Sequence, residues 1–115
     1  MLVKICGITR IEDADAAVDA GARALGFVFW PASPRFIDPD RARAIVARLP
    51  PFLTAVGVFV NQTVDEVNGI ANLVRLGAVQ LHGDETVEYA SAMSAPVIKA
   101  LTVDDERVST WPAPS

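Results

Sequence analysis

A parallel α/β fold is predicted by this 115-residue chain on three observations. Five short runs rich in β-branched or apolar residues alternate with amphipathic stretches that carry legible helix caps. The apolar runs are hydrophobic on both faces, as strands are in a parallel sheet covered by helices. No run is joined to the next by a two-residue hairpin turn, so each strand reaches its successor through a helix.

The first strand is read at Leu2–Cys6, ahead of Gly7, with Thr9 and Glu12 spaced as a capping box for a helix over Ile11–Ala20. Gly21 stands where that helix end needs positive φ. A second strand, Ala24–Phe29, leads through a proline-containing loop to Asp38-Pro39. These two supply an N-cap and a first-turn proline for a helix over Pro39–Leu49. The third strand, Thr54–Val60, precedes a second capping box, Thr63 with Glu66, and a helix over Val64–Leu76 closed at Gly77. Ala78–His82 is the fourth strand, Glu85–Met93 the fourth helix and Val97–Leu101 the fifth strand. The tail, Asp104–Ser115, reads as a loop or frayed helix and offers no further strand.

Two architectures accommodate β-α-β-α-β-α-β-α-β: an open doubly wound sheet and a (β/α)8 barrel of the TIM type. The first turn lacks G-x-G-x-x-G, which removes the main support for a dinucleotide-binding open sheet. A whole barrel takes about 250 residues, so this chain holds only about its first half, five strands and four helices. It is one domain at most. Its 51% hydrophobic content is enough for a core, and no apolar run is long enough to span a membrane. Ten basic and fourteen acidic residues give a net charge of −4, without a basic stripe, which argues against nucleic acid as a partner. A single cysteine and an N-terminus without a signal-peptide pattern point to a reducing, cytoplasmic location.

That cysteine, Cys6, closes the first strand at the end where parallel α/β proteins place their chemistry. With no second thiol it forms neither an internal disulfide nor a zinc site, and no metal is expected. It reads either as a small buried hydrophobe or as a reactive thiol. Polar residues also interrupt the strands. Lys4 shares a face with Cys6, Gln80 shares a face with His82, and Lys99 is a third intrusion. Buried lysine and glutamine need partners, so Lys4, Gln80 and Lys99 are expected in a polar cluster inside the barrel near its C-terminal rim. Such a cluster either supports a site or merely fixes strand register. His82, last on its strand and ahead of a glycine and an acidic helix start, is read as substrate-binding. Phe27, Phe29 and Trp30 could wall an aromatic pocket, but most apolar aromatics in strands are core, and they are left out of the site.

Five strings in order, KICGIT at 4–9, GFVFWPASPR at 26–35, VGVFVN at 56–61, VQLHGDE at 79–85 and VIKAL at 97–101, each fall on a strand end or βα-loop. Together they resemble the N-terminal half of phosphoribosylanthranilate isomerase, the tryptophan-pathway enzyme. The resemblance covers nearly the whole chain. It implies a (β/α)8 barrel that converts N-(5-phosphoribosyl)anthranilate to its 1-deoxyribulose-phosphate isomer by an Amadori rearrangement, without metal or organic cofactor. It further implies that Cys6 is the general base and that Arg35 holds the anthranilate carboxylate. A free thiol is only slightly ionised at neutral pH, so a base at Cys6 needs help from a positive neighbour such as Lys4 or from the substrate iminium.

By the same resemblance the general acid belongs to the sixth strand and the phosphate site to loops after the seventh and eighth, all beyond this chain. Asp104 and Asp105 stand in the wrong context to replace that acid. Two functions follow: an isomerase represented by its first half, or a catalytically inert half-barrel that self-associates or pairs with a complementary half. Another phosphosugar-handling barrel is disfavoured by the combined KICGIT and SPR strings.

Overall fold

The computed structural model describes residues 3–99. In chain order the elements are β1 (Lys4–Cys6), α1 (Ile11–Asp19), β2 (Ala24–Val28), α2 (Pro39–Val46), β3 (Thr54–Phe59), α3 (Val64–Val74), β4 (Ala78–Leu81), α4 (Val87–Ser91) and β5 (Val97–Lys99). The strands form one parallel sheet whose spatial order is the chain order, β1-β2-β3-β4-β5. The expected sequence of elements is the one observed. The assigned tail, Asp104–Ser115, and the outer ends of the first and fifth strands lie outside the described residues.

The two faces of the sheet divide by residue parity. Leu25, Phe27, Phe29, Phe59, Val79 and Leu81 point toward the helices and are buried with Ala14, Ala17, Ala42, Ile45, Val67 and Val74, whereas Trp30, read with Phe27 and Phe29 as core, has passed beyond the end of β2 and is 40% exposed. Ala14 and Ala17 of α1 and Ala42 of α2 are part of this core, and the rings of Phe29, just past β2, and Phe59 of β3 stack at 5.4 Å. The other face carries Lys4 and Cys6 of β1, Gly26 and Val28 of β2, Val56 and Val58 of β3, and Gln80 of β4. The Lys4 ammonium bonds the Gln80 side chain across this second face. In a flat sheet β1 and β4 would stand three strand spacings apart, about 14 Å. The contact therefore requires the sheet to curl, and Val56 and Val58 lie buried inside the resulting trough.

Three helix ends differ from the sequence reading. Thr9 does not cap α1. Extended Arg10 is the N-cap, makes no side-chain cap bond, and its guanidinium instead holds Asp13 at 3.1 Å. Gly77 does not take the left-handed position after α3; Arg75 does, with φ +67°. Glu85 does not start α4, because Thr86 caps it by accepting from the Tyr89 N–H. The remaining signals behave as read. Asp38 accepts from the Asp40 N–H at 2.8 Å, Thr63 from the Glu66 N–H at 3.1 Å, and Gly21 has φ +95°.

Candidate active site

Of the candidate residues, Cys6 and Lys99 end their strands, Gln80 and His82 flank the end of β4, Arg35 lies in the loop after β2 and Lys4 starts β1, while Asp104 and Asp105 lie outside the described residues. β1 ends at Cys6, and the turn after it hangs on one acceptor: the N–H groups of Gly7 and Ile8 both donate to the Gly26 carbonyl at 3.0 Å. Gly7 makes that turn with φ +87°, in a region that costs other L-residues about 1–2 kcal/mol.

Two glycines make room for the functional groups. Cys6 pairs with Gly26, and a Cβ there would lie 2.8 Å from the Cys6 Sγ, so the thiol rests directly against the β2 backbone on the concave face. A Cβ on Gly7 would lie 2.5 Å from Arg35 Cδ and 2.8 Å from its Nη1, so the Arg35 side chain crosses the peptide next to Cys6. The loop after β2 delivers Arg35 to this place. Ser33 N–H bonds the Trp30 carbonyl, Phe36 N–H bonds the Ser33 carbonyl, and the Ser33 hydroxyl accepts from the Arg35 N–H at 3.1 Å. Cys6 and Arg35 are both exposed, and among the described residues the guanidinium meets no carboxylate. An exposed thiol and an exposed planar donor fork thus lie on either side of the turn that starts at Gly7.

A second group reaches across the trough. Lys4 Nζ donates to Gln80 Oε1, and Gln80 Nε2 lies 2.7 Å from His82 Nε2. Although the residue stays exposed, partial desolvation, followed by the Lys4 charge, pushes the His82 imidazole below its ordinary value. Lys99 adds to this, and Glu85 pulls the other way. Lys4 and Gln80 thus meet on the concave face as expected, with His82 joining them, but Lys4 and His82 are exposed and Gln80 half-buried rather than buried.

Lys99 does not join them. It pairs with Leu81 in the β4–β5 ladder, on the helix-facing side, because Ile98 takes the position level with Gln80. Its ammonium lies 2.7 Å from the Glu85 carboxylate, with both side chains 1% exposed, and also bonds the Gly83 carbonyl. Glu85 accepts in addition from the N–H groups of Asn61, at 2.7 Å, and Gly83, at 2.8 Å. Burial alone would raise the Glu85 carboxyl, but the hydrogen bonds from Lys99 and the Asn61 amide outweigh it and hold the group below the usual range. The loops after β3 and β4 are clamped together by this carboxylate. Asn61 completes the clamp at φ +52° by accepting from the Asp84 N–H at 2.8 Å. Sequence reasoning missed Glu85 and Asn61. The only available signal was an acid in a string, LHGDE, with more polar groups than a helix start needs.

With this geometry in place, the chain compares closely with known proteins. The family profile described as N-(5'phosphoribosyl)anthranilate (PRA) isomerase matches residues 3–112. The N-(5'-phosphoribosyl)anthranilate isomerase of Geotalea uraniireducens (strain Rf4) is 55% identical over 103 residues, 90% of this chain and 51% of that protein. The phosphoribosyl anthranilate isomerase of Thermus thermophilus superposes with a TM-score of 0.91 at 47% identity, covering 98% of this chain and 59% of that one. A phosphoribosyl anthranilate isomerase crystallised with reduced 1-(o-carboxyphenylamino)-1-deoxyribulose 5-phosphate gives 0.88 at 50% identity, over 93% and 56%. The chain spans about half the length of the curated relatives it matches. Its five strands and four helices are the first half of a (β/α)8 barrel, and the chain belongs to the N-(5'-phosphoribosyl)anthranilate isomerase family.

Proposed function

We propose that residues 1–115 form the N-terminal half of a single barrel domain that isomerises N-(5-phosphoribosyl)anthranilate to 1-(2-carboxyphenylamino)-1-deoxyribulose 5-phosphate in tryptophan biosynthesis, in the cytoplasm and with a small-molecule substrate as its partner. The observation that supports this reading is the placement of Cys6 against Gly26 beside Arg35 against Gly7, an exposed thiol and an exposed guanidinium at the turn after β1. Protonation of the ribose ring oxygen breaks its bond to C1′ and leaves an iminium. Cys6 thiolate then takes the C2′ proton, and the C–H electron pair forms the enolamine that tautomerises to the ketose. Arg35 binds the anthranilate carboxylate through paired N–H donors, and His82 contributes to substrate binding. The acid that opens the ring and the phosphate cradle come from the second half of the barrel.

Steady-state kinetics on the chain completed by its second half test the assignment. Cys6→Ala is expected to lower turnover about 10²–10⁴-fold while affinity for a product analogue is kept. Turnover within a few-fold of the unaltered protein would return Cys6 to a packing role.

A second reading, an inert half-barrel that self-associates or awaits a complementary half, is favoured by the sheet edges. Val3 and Ile5 at the β1 edge are 42% and 40% exposed, and Ile98 of β5 is 39% exposed. An open groove of about 400 Å³ runs along β1 and α1 past Ile5, Ile8 and Ala17. Sedimentation of the 115-residue chain alone, with a substrate assay, separates the readings: concentration-dependent association without turnover supports this second one.

A further inference from the structure

The hydrogen-bond chain Lys4–Gln80–His82 has a direction, set by its first member. A lysine ammonium carries three donors and no acceptor, so only the oxygen of the Gln80 amide can face it. The amide nitrogen is thereby turned toward His82, at 2.7 Å from Nε2. An NH2 group cannot face an N–H at that distance, so His82 Nε2 must be the unprotonated, accepting nitrogen.

We propose that Gln80 is a positioning residue that, oriented by Lys4, holds His82 as the neutral imidazole with its proton on Nδ1. His82 then offers the substrate one N–H donor and no positive charge. This inference rests on the proposed isomerase reading for its purpose, and the donor would serve an acceptor oxygen of the phosphosugar. Protonating Nε2 would require Gln80 to rotate its amide, which would set the NH2 group against the Lys4 ammonium. The charged groups around the imidazole are Lys4 on β1, Lys99 on β5 and Glu85 after β4. Glu85 is itself bound by Lys99 and by two backbone N–H groups.

The sequence contains one histidine, so nitrogen-15 spectra of the imidazole report His82 without assignment. At neutral pH the expected pattern is a pyrrole-type Nδ1 and a pyridine-type Nε2. Gln80→Glu supplies an acceptor in place of the NH2 donor, and should move the proton to Nε2 and raise the pH at which the ring titrates. Gln80→Met, which is close in shape and lacks both polar ends, should remove the tautomer preference and serves if Gln80→Glu fails to fold. An Nε2–H tautomer or an imidazolium in the unaltered protein overturns the proposal, as does an unchanged tautomer in a folded variant. None of these spectra needs substrate. A protein with the expected tautomer but no turnover with its second half present would sink the isomerase reading alone.

Discussion

Glu85 and Lys99 meet at 2.7 Å with their side chains almost wholly excluded from solvent, and the pair links the loop after β4 to the end of β5. Removing one member takes a close counter-charge from a buried ion. Lys99→Met should therefore destabilise the protein by about 3–5 kcal/mol, measured by denaturant unfolding at neutral pH. The pair also sets an acid limit. The folded Glu85 carboxyl titrates below its unfolded value of about 4.3, so its contribution is complete above that pH and is lost as pH falls through the folded value. Glu85→Gln should flatten the loss of stability below about pH 4.5; an unchanged acid slope would contradict the assignment.

Gly26→Ala tests the seat of the thiol. The new methyl would lie 2.8 Å from Cys6 Sγ and 3.1 Å from Cys6 Cα, so it presses on backbone as well as side chain. A loss of about 1–3 kcal/mol is expected, together with a several-fold change in the rate of Cys6 alkylation by iodoacetamide. Gly69→Ala is the contrast. That position lies within α3 with nothing inside 4 Å of the added carbon, and the change should stabilise by about 0.5–1 kcal/mol without altering the thiol.

Arg35→Lys keeps the charge but loses the planar fork, and should weaken binding of an anthranilate-bearing ligand about tenfold in the completed barrel. Calorimetry with a second ligand lacking the carboxylate gives the control. If the unaltered protein and the variant lose equal affinity when that carboxylate is removed, Arg35 is not its partner.

His82 should leave a mark on stability in mildly acidic solution. Its folded value is lowered, so the neutral ring is favoured by folding. The contribution is full above the unfolded value of about 6.5 and declines as pH falls through the folded one. His82→Gln should remove that part of the slope. A steeper fall in the variant would mean that the ring is held charged.

Much of the fold was legible because it rests on local pattern. The apolar runs became strands in the expected order, and Asp38 and Thr63 cap as their spacing suggested. The Thr9–Glu12 spacing misled because it fixes only a separation in sequence, while the extended Arg10 moved the helix start by one residue. On the concave face, parity correctly joined Lys4 to Cys6 and Gln80 to His82. Parity could not say which face of β5 Lys99 takes, because that depends on the ladder with β4, a relationship between strands that neither strand encodes alone. Arg35 was placed by resemblance; its path over Gly7 required the turn after β1 and the Ser33 loop together.

Because spatial and chain order coincide in the sheet, each new strand finds its partner in the one just before it. During synthesis on the ribosome, β2 can dock on β1 and β3 on β2 as they emerge, with helix-spanning loops to close and no wait for a distant segment. Assembly of these five strands can thus proceed one β/α unit at a time, each strand offering its free edge as the template for the next.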